Sequence, residues 1–315
     1  MSLEGFFKRK NASNDSSLPV GVNLVDFSQI ILSSIMGAYK PEDRLDLDMI
    51  RHITLNTIRS NVLKNRIKYP HVILCLDNSQ GGYWRKKHAW YYKFKRKEGR
   101  EKSGWDFETI FEAIAVIREE LAEFMPYVVM DSPGIEADDH IGILTDYFVS
   151  LNVPVMITSS DGDFTQCHTD DPKAVIQWSP IRKEWVKPKH GSPRRDMLYK
   201  CIKGDKKDGI AAMKSPEDHW TLTSEERKKS PAIRKPELEA FLSATDEEIE
   251  QMLSEDHLKR YKTNRFLLDF NFIPEDIRSM ILAQYKEYKP APKSKMFNYF
   301  ASRKLEKLIG NLSEF

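Results

Sequence analysis

The chain has 315 residues, of which 40% are hydrophobic and 30% charged, with a formal net charge of +2. That is the make-up of an ordinary soluble globular protein, long enough for one large or two moderate domains with a buried core. No apolar run reaches membrane-spanning length and no signal-type apolar core follows Met1, so the expected setting is cytoplasmic, without a membrane partner. Three scattered cysteines, Cys75, Cys167 and Cys201, contain no CxxC pair and argue against a disulfide framework or structural zinc.

Residues 10–18, KNASNDSSL, read as a flexible linker that sets off a tail, residues 1–19. Beyond it, β-branched apolar runs alternate with helical patterns. Residues 20–26, 71–77, 126–131 and 153–161 read as buried strands; Leu47–Leu63, Phe107–Phe124 and Ala137–Val149 show helical periodicity. The alternation predicts an α/β domain over 20–191, with a mainly parallel central sheet and helices on both faces. Trp178 and Trp185 are expected to pack a short hairpin. From Ser192 the strand signal stops, and a helical region is predicted for 192–315, interrupted by a charged, proline-containing loop at 224–237.

Each apolar run ends in acid. Asp26 closes the first, Asp77 the second, and Asp161 with Asp163 the fourth; the third leads into IEADDH, with Glu136, Asp138 and Asp139 at a helix start. One such Asp is ordinarily a helix or turn cap, and acids in a first helical turn are favoured by the dipole. The whole set is different, because a parallel sheet brings all of its strand ends to one edge. Carboxylates gathered there repel one another and call for a counter-ion. With oxygen ligands only, the expected ion is hard: Mg²⁺, or Mn²⁺ in its place. So many acids suit two ions, a clamp for in-line phosphodiester hydrolysis.

The segment between the second strand and the next helix indicates the substrate. Residues 83–105 carry nine Lys/Arg against two Glu, a local charge of +7. Tyr83, Trp84, Trp90, Tyr91, Tyr92 and Trp105 are interleaved with Arg85, Lys86, Lys87, Lys93 and Arg96. Rings among cations are suited to nucleic acid, stacking bases along a phosphate-attracting track. A lysine-rich turn, CIKGDKKDGIAAM, follows at 201–213. Gly204 and Gly209 bracket Lys206 and Lys207, as in hairpins that hold a duplex backbone through main-chain N–H groups and lysines. Asp205 and Asp208 add two acids near the same edge.

In order, the motifs LVDFSQ, LCLDN, EADDH, SSDGDF and GDKKD resemble those of the 5′-nucleases, or flap endonucleases, with their PIN-like domain. GYWR, YYK and SSDGDFTQ narrow the match to bacteriophage members, from about Val20 to Phe315. The resemblance implies a 5′→3′ exonuclease and flap endonuclease acting on RNA primers and adjacent DNA during lagging-strand processing. It implies that Asp26, Asp77, Asp138 and Asp161 hold the catalytic ion, with Glu136 and Asp139 beside them, and that Asp163, Asp205 and Asp208 lie toward a second. It makes the basic segment, 82–105, an arch over the site, with Lys93 and Arg85 on the scissile phosphate and Tyr92 as a stacking neighbour. The GDKKDG turn becomes part of a helix–hairpin–helix element gripping duplex. Branched DNA and RNA–DNA duplexes, the replication sliding clamp and single-stranded-DNA-binding protein are the implied partners of a monomer in the infected host cell.

One rival is a haloacid-dehalogenase-type phosphatase, since DGDFT fits DxDx(T/V), with Asp161 as nucleophile and Asp163 as acid. That fold needs the motif on its first strand, and three candidate strands precede it here. A catalytically dead accessory leaves the repelling acids unexplained, and a PIN-type ribonuclease lacks the long helical region. In the tail, Leu3, Phe6 and Phe7 have i, i+3, i+4 spacing, which puts them on one side of a helical turn and resembles the hydrophobic half of a clamp-binding box. The same spacing at Met296, Tyr299 and Phe300 leads into an amphipathic run and is expected to be packed.

Overall fold

The computed structural model describes residues 18–315; Leu3, Phe6 and Phe7, the expected clamp-binding segment, lie outside them. In chain order the elements are β1 (Val22–Asp26), α1 (Phe27–Ala38), α2 (Leu47–Leu63), β2 (His71–Cys75), α3 (Trp84–His88), α4 (Arg96–Glu101), α5 (Phe107–Phe124), β3 (Val128–Met130) and α6 (Ala137–Ser150). They continue with β4 (Val155–Thr158), a 3-10 turn (Gly162–Cys167), β5 (Val175–Ser179), β6 (Glu184–Trp185), α7 (Pro193–Lys203), α8 (Lys235–Ser243) and α9 (Asp246–Met252). Last come α10 (Glu255–Leu268), α11 (Glu275–Glu287), α12 (Ser294–Ser302) and α13 (Glu306–Ile309).

The sheet runs β3-β2-β1-β4-β5-β6, parallel except for the last pair. The four expected strands form it, each trimmed by a few residues, and β5 extends the parallel part beside β4. Trp178 and Trp185 face each other across the β5–β6 hairpin with ring centroids 5.0 Å apart, as expected. Helix α1 had no separate sequence signal. It begins one residue after the strand, and its buried Phe27, Ile30, Ile31 and Ile35 read as a continuation of an apolar run.

Alternation along each strand divides the core. Val25, Val72, Leu74 and Val129 face α1, α2 and α5, while Leu24, Ile73, Cys75, Val128 and Met130 face α6 and α11. The first face is closed by Met296, Tyr299 and Phe300, so that spacing is a packed one, as expected. A third cluster joins α7, α8 and α10 and takes in Ala89, Tyr91 and Tyr92 of the basic segment.

That third cluster changes the reading of the arch aromatics. Tyr91 and Tyr92 serve it as core, as Trp84 does the second cluster, all three at most 5% exposed, while Trp90 and Phe94 remain more than half exposed. Only Trp90 of the six expected stacking rings is open to this degree; Phe94, outside that set, joins it. The helix–hairpin–helix element joins α7 to α8 through a long connection. Residues 205–210 close an antiparallel turn after α7, but no helix follows directly: α8 starts at Lys235. Pro216 and Pro231 interrupt the charged stretch between them, and α8 reaches α7 only by packing on it.

Candidate metal and nucleic-acid site

The parallel register sets the site. Asp26 pairs with Cys75 on one side, and its neighbour Val25 pairs with Thr158 on the other. Asp77 and Asp161 therefore leave β2 and β4 at the same edge as Asp26. All three also tie loops to helices. Asp26 caps α1, accepting from the Gln29 N–H at 3.3 Å and the Ser159 hydroxyl at 2.7 Å. Asp77 accepts from the Ala137 N–H at the start of α6, at 3.0 Å. Asp161 caps the 3-10 turn through the Asp163 N–H, at 3.0 Å. The capping reading of these acids is thus true of their geometry, and each still leaves lone pairs for a cation.

Electrostatics show that these acids share one field. Asp26 is pushed up to about 7, first by burial and then by the charge of Asp77, with Asp161 adding and the Ser159 bond opposing. Asp138 is raised well above the usual carboxylate range by burial, then by Asp161, Asp26 and Glu136, against the pull of Lys93. Five strand-end and helix-start acids therefore act on one another, Asp26, Asp77, Glu136, Asp138 and Asp161.

Among the described residues, no three Asp, Glu, His or Cys side chains already close on one point. Internal cations hold several of them instead. Lys200 ion-pairs with both Asp163 and Asp205, and Lys93 with Glu136. The donors are all oxygen and crowded, and Asp26 and Asp138 are raised by burial and by their acidic neighbours, which fits a hard divalent cation. Bringing Glu136 onto one requires Lys93 to release it, and bringing Asp163 or Asp205 onto one requires Lys200 to do so.

The other expected acids face inward. Asp139 is fully buried; it accepts from Trp84 Nε1 at 3.0 Å and pairs with Arg85 at 2.8 Å. Its place is behind the edge, facing α3. Asp208 accepts from Arg96 at 2.6 Å, and its backbone carbonyl receives the Lys93 N–H at 2.7 Å. Burial alone would raise Asp208, but Lys93 and Arg96 hold it below its ordinary value. It fastens the arch to the hairpin. Asp205 folds the turn itself, accepting from the Lys207 N–H at 2.8 Å.

Arg85 and Lys93, expected on the scissile phosphate, are 3% and 8% exposed. Arg85 joins three elements: its guanidinium binds Glu136 at 2.8 Å and donates to the Leu267 carbonyl at 2.9 Å. Lys93 lines a cavity of about 640 Å³ that also takes in Asp77, Tyr83 and Lys86. Its backbone is in the left-handed region, φ 55°, a conformation costly for a residue with a Cβ and kept only where the surroundings fix it. Tyr92 is buried and donates to Glu136 at 3.2 Å, so it braces an acid. Lys86, Lys87, Arg96, Lys206 and Lys207 are open to solvent on the arch and hairpin. Gly204 and Gly209 both have positive φ; a Cβ on Gly209 would meet the Tyr91 carbonyl at 2.7 Å, where arch and hairpin touch.

Sequence reasoning missed the supporting residues. Gln177 donates to the carbonyls of Ser159 and Asp161, fixing the acid loop from β5. Ser159 stood inside the SSDGDF motif and could have been read as a partner for Asp26; nothing near Gln177 in sequence signals its part.

Comparison with known proteins settles the lineage. Residues 41–191 match the family described as 5′-3′ exonuclease, N-terminal resolvase-like domain, and residues 191–315 match T4 RNase H, C terminal. Ribonuclease H of Enterobacteria phage T4 is 41% identical over 302 residues, covering 96% of this chain and 98% of that protein. The chain belongs to the phage ribonuclease H family of 5′-nucleases. Solved structures agree on the fold. A bacteriophage T5 flap endonuclease in complex with DNA and metal ions has a TM-score of 0.60 at 15% identity, over 85% of this chain and 100% of that one. The T5 protein co-crystallised with metal ions gives 0.58 at 16% identity, over 85% and 99%. As a member of this family the chain is a metal-dependent phosphodiesterase of the 5′–3′ exonuclease and flap endonuclease type. The phosphatase reading of Asp161 and Asp163 finds no support, since their motif follows the fourth strand and the family is a nuclease one.

Proposed function

We propose that the chain removes RNA primers and adjoining DNA from 5′ ends, using two Mg²⁺ ions, with Mn²⁺ able to substitute. The observation that carries this reading is the gathering of Asp26, Asp77, Asp138 and Asp161 at one sheet edge, close enough that Asp26 feels Asp77 and Asp161, and Asp138 feels Asp161 and Asp26, beside an arch rich in cations. Asp26, Asp77, Asp138 and Asp161 would hold the first ion, with Glu136 joining once Lys93 lets go. Asp163 and Asp205 would hold the second once Lys200 does. Bound there, such ions supply a Lewis acid at the phosphate and a hydroxide at neutral pH.

The chain's own residues do the positioning. Lys93, released from Glu136, places an ammonium on the scissile phosphate. Arg85 and Asp139 stay in place and keep Glu136 and the start of α6 aligned. Asp208 holds the arch on the hairpin, so Lys206, Lys207 and the backbone at Gly204 and Gly209 grip duplex phosphates at a fixed distance from Lys93. Lys86, Lys87 and Arg96 add attraction for the strand, and Trp90 and Phe94 offer it stacking faces. The sliding clamp, through Leu3, Phe6 and Phe7, and single-stranded-DNA-binding protein are proposed partners of a monomer in the host cytoplasm.

The test uses three substrates with Mg²⁺ or with a chelator: a 5′-labelled RNA–DNA hybrid, a 5′-flapped duplex and p-nitrophenyl phosphate. Short 5′ products from the first two, lost with chelator, are expected. Turnover of p-nitrophenyl phosphate alone would overturn the reading.

A further inference from the structure

The loop that carries Asp161 and Asp163 is held through its main chain. Five consecutive carbonyls, from Ser159 to Asp163, each accept from a side chain. Gln177 donates to Ser159 at 3.0 Å and to Asp161 at 2.6 Å. Arg182 donates to Ser160 at 3.1 Å. Thr165 donates to Gly162 at 2.8 Å, and Gln166 to Asp163 at 3.0 Å. The last two belong to the 3-10 turn itself, whereas Gln177 and Arg182 reach in from the β5–β6 hairpin.

That hairpin is itself fastened to the loop and to the body. The Ser179 hydroxyl lies 2.7 Å from that of Ser160, and the Ile181 N–H donates to the Ser160 hydroxyl at 3.3 Å. Trp178 packs on Trp185 across the two strands, and Lys64, just past α2, lies 4.1 Å from the centre of the Trp178 ring. Gln177 is the least expected member. It is 1% exposed, on the face of β5 that it shares with the buried Val175 and Ser179. An apolar side chain of the same length would fill that place without desolvating an amide. Both of its bonds leave the strand for the loop. One side chain that fixes two alternate carbonyls leaves the peptide between them little freedom.

Acids gathered at one edge repel one another, so a loose loop would carry Asp161 away from Asp26 and Asp138 before a cation could join them. Groups standing behind metal ligands orient them, and removing one lowers metal affinity or activity by about 10–100-fold. We propose that the β5–β6 hairpin is a positioning element of the metal centre, with Gln177 as its principal contact. Gln177 acts through the main chain of Asp161 and is not itself a ligand. The inference rests on the metal reading above and adds to it the source of the loop's fixed position.

The experiment follows unbound Mn²⁺ by electron paramagnetic resonance as the ion is titrated, without nucleic acid, into wild type, Asp161→Asn, Gln177→Met and Tyr299→Phe. Gln177→Met keeps the side-chain length and loses both donors. Its affinity for the ion that Asp161→Asn weakens should fall by about 10–100-fold. Tyr299→Phe, which loosens the core away from the edge, should bind as wild type does. Circular dichroism in chelator checks that each variant is folded. Should Gln177→Met fail that check, Gln177→Asn takes its place, carrying the same amide one carbon short of the two carbonyls, and it should lose affinity in the same sense. Wild-type affinity in the folded Gln177 variant would overturn the proposal, as would an equal loss in Tyr299→Phe, the mark of general loosening. Wild type that binds Mn²⁺ no better than its Gln177 variant loses only the positioning role, whereas wild type that binds no Mn²⁺ loses the metal reading as well.

Discussion

The guanidinium of Arg85 lies 2.8 Å from Glu136, and neither side chain is more than 3% exposed. The pair joins α3 of the arch to the first residue before α6, and Asp139 completes it at 2.8 Å. Removing one partner of a buried ion pair leaves a charge with nothing to balance it, which costs about 3–5 kcal/mol. Arg85→Ala is accordingly expected to lower unfolding free energy by that order in urea titrations. A loss below about 1 kcal/mol, with cleavage still abolished, would return Arg85 to direct phosphate contact.

A second buried acid lies far from the edge. Glu120 on α5 receives Arg51 at 2.7 Å, the Tyr299 hydroxyl at 2.8 Å and Arg303 at 2.9 Å. It thereby fastens α12 to α2 and α5. Tyr299→Phe removes one charge-assisted bond and should cost about 1.5–3 kcal/mol, with no change in cleavage rate at 25 °C. If activity fell in parallel with stability, α12 would have a part in the site that its packing does not suggest.

Gly142 in α6 allows a close approach that no other residue permits. A Cβ there would stand 2.8 Å from the Phe270 ring. Gly142→Ala gains helix propensity of about 1 kcal/mol, but forces apart α6 and the 270–272 turn in a packed core, where overpacking costs about 1–3 kcal/mol. The net expected result is a lower melting temperature. A melting temperature above wild type would mean that Phe270 yields freely.

Metal dependence should carry a pH signature. Asp26 keeps its proton up to about pH 7 in the metal-free fold, whereas the unfolded chain releases it near 3.8. Between those values the folded state binds more protons. Its contribution to metal-free stability therefore falls as pH rises from 3.8 to 7 and is flat above. A cation that takes up the carboxylate must displace that proton below pH 7, so Mg²⁺ should raise the melting temperature more at pH 8 than at pH 6. Asp26→Asn should reduce this difference, the remainder coming from Asp138, which is raised as well. An equal Mg²⁺ effect at both pH values would show that Asp26 is not a ligand.

Much of this was readable from the chain. Continuous apolar strands and the acids that end them are local signals, and a parallel sheet converts them into one edge without further information. What escaped was set by tertiary packing. Asp139 and Asp208 look like their neighbours in sequence, yet one turns back to Trp84 and Arg85 and the other to Arg96 and Lys93. Tyr91 and Tyr92 alternate with cations as a stacking surface would, but a third core built from α7, α8 and α10 takes them in. Helix α1 was hidden because a buried helix and a buried strand are both simply apolar over a few residues.

The most direct test of the acidic edge as a metal centre is single-turnover cleavage of a 5′-labelled RNA–DNA hybrid, titrated with Mg²⁺, for wild type and Asp161→Asn. Asp161→Asn keeps a side-chain oxygen to cap the 3-10 turn, so its unfolding curve and its affinity for hybrid in chelator should match wild type. Its cleavage rate should fall by at least about 100-fold, the scale of losing one strong electrostatic contact in a transition state. Cleavage at the wild-type rate and the same Mg²⁺ midpoint would contradict the assignment.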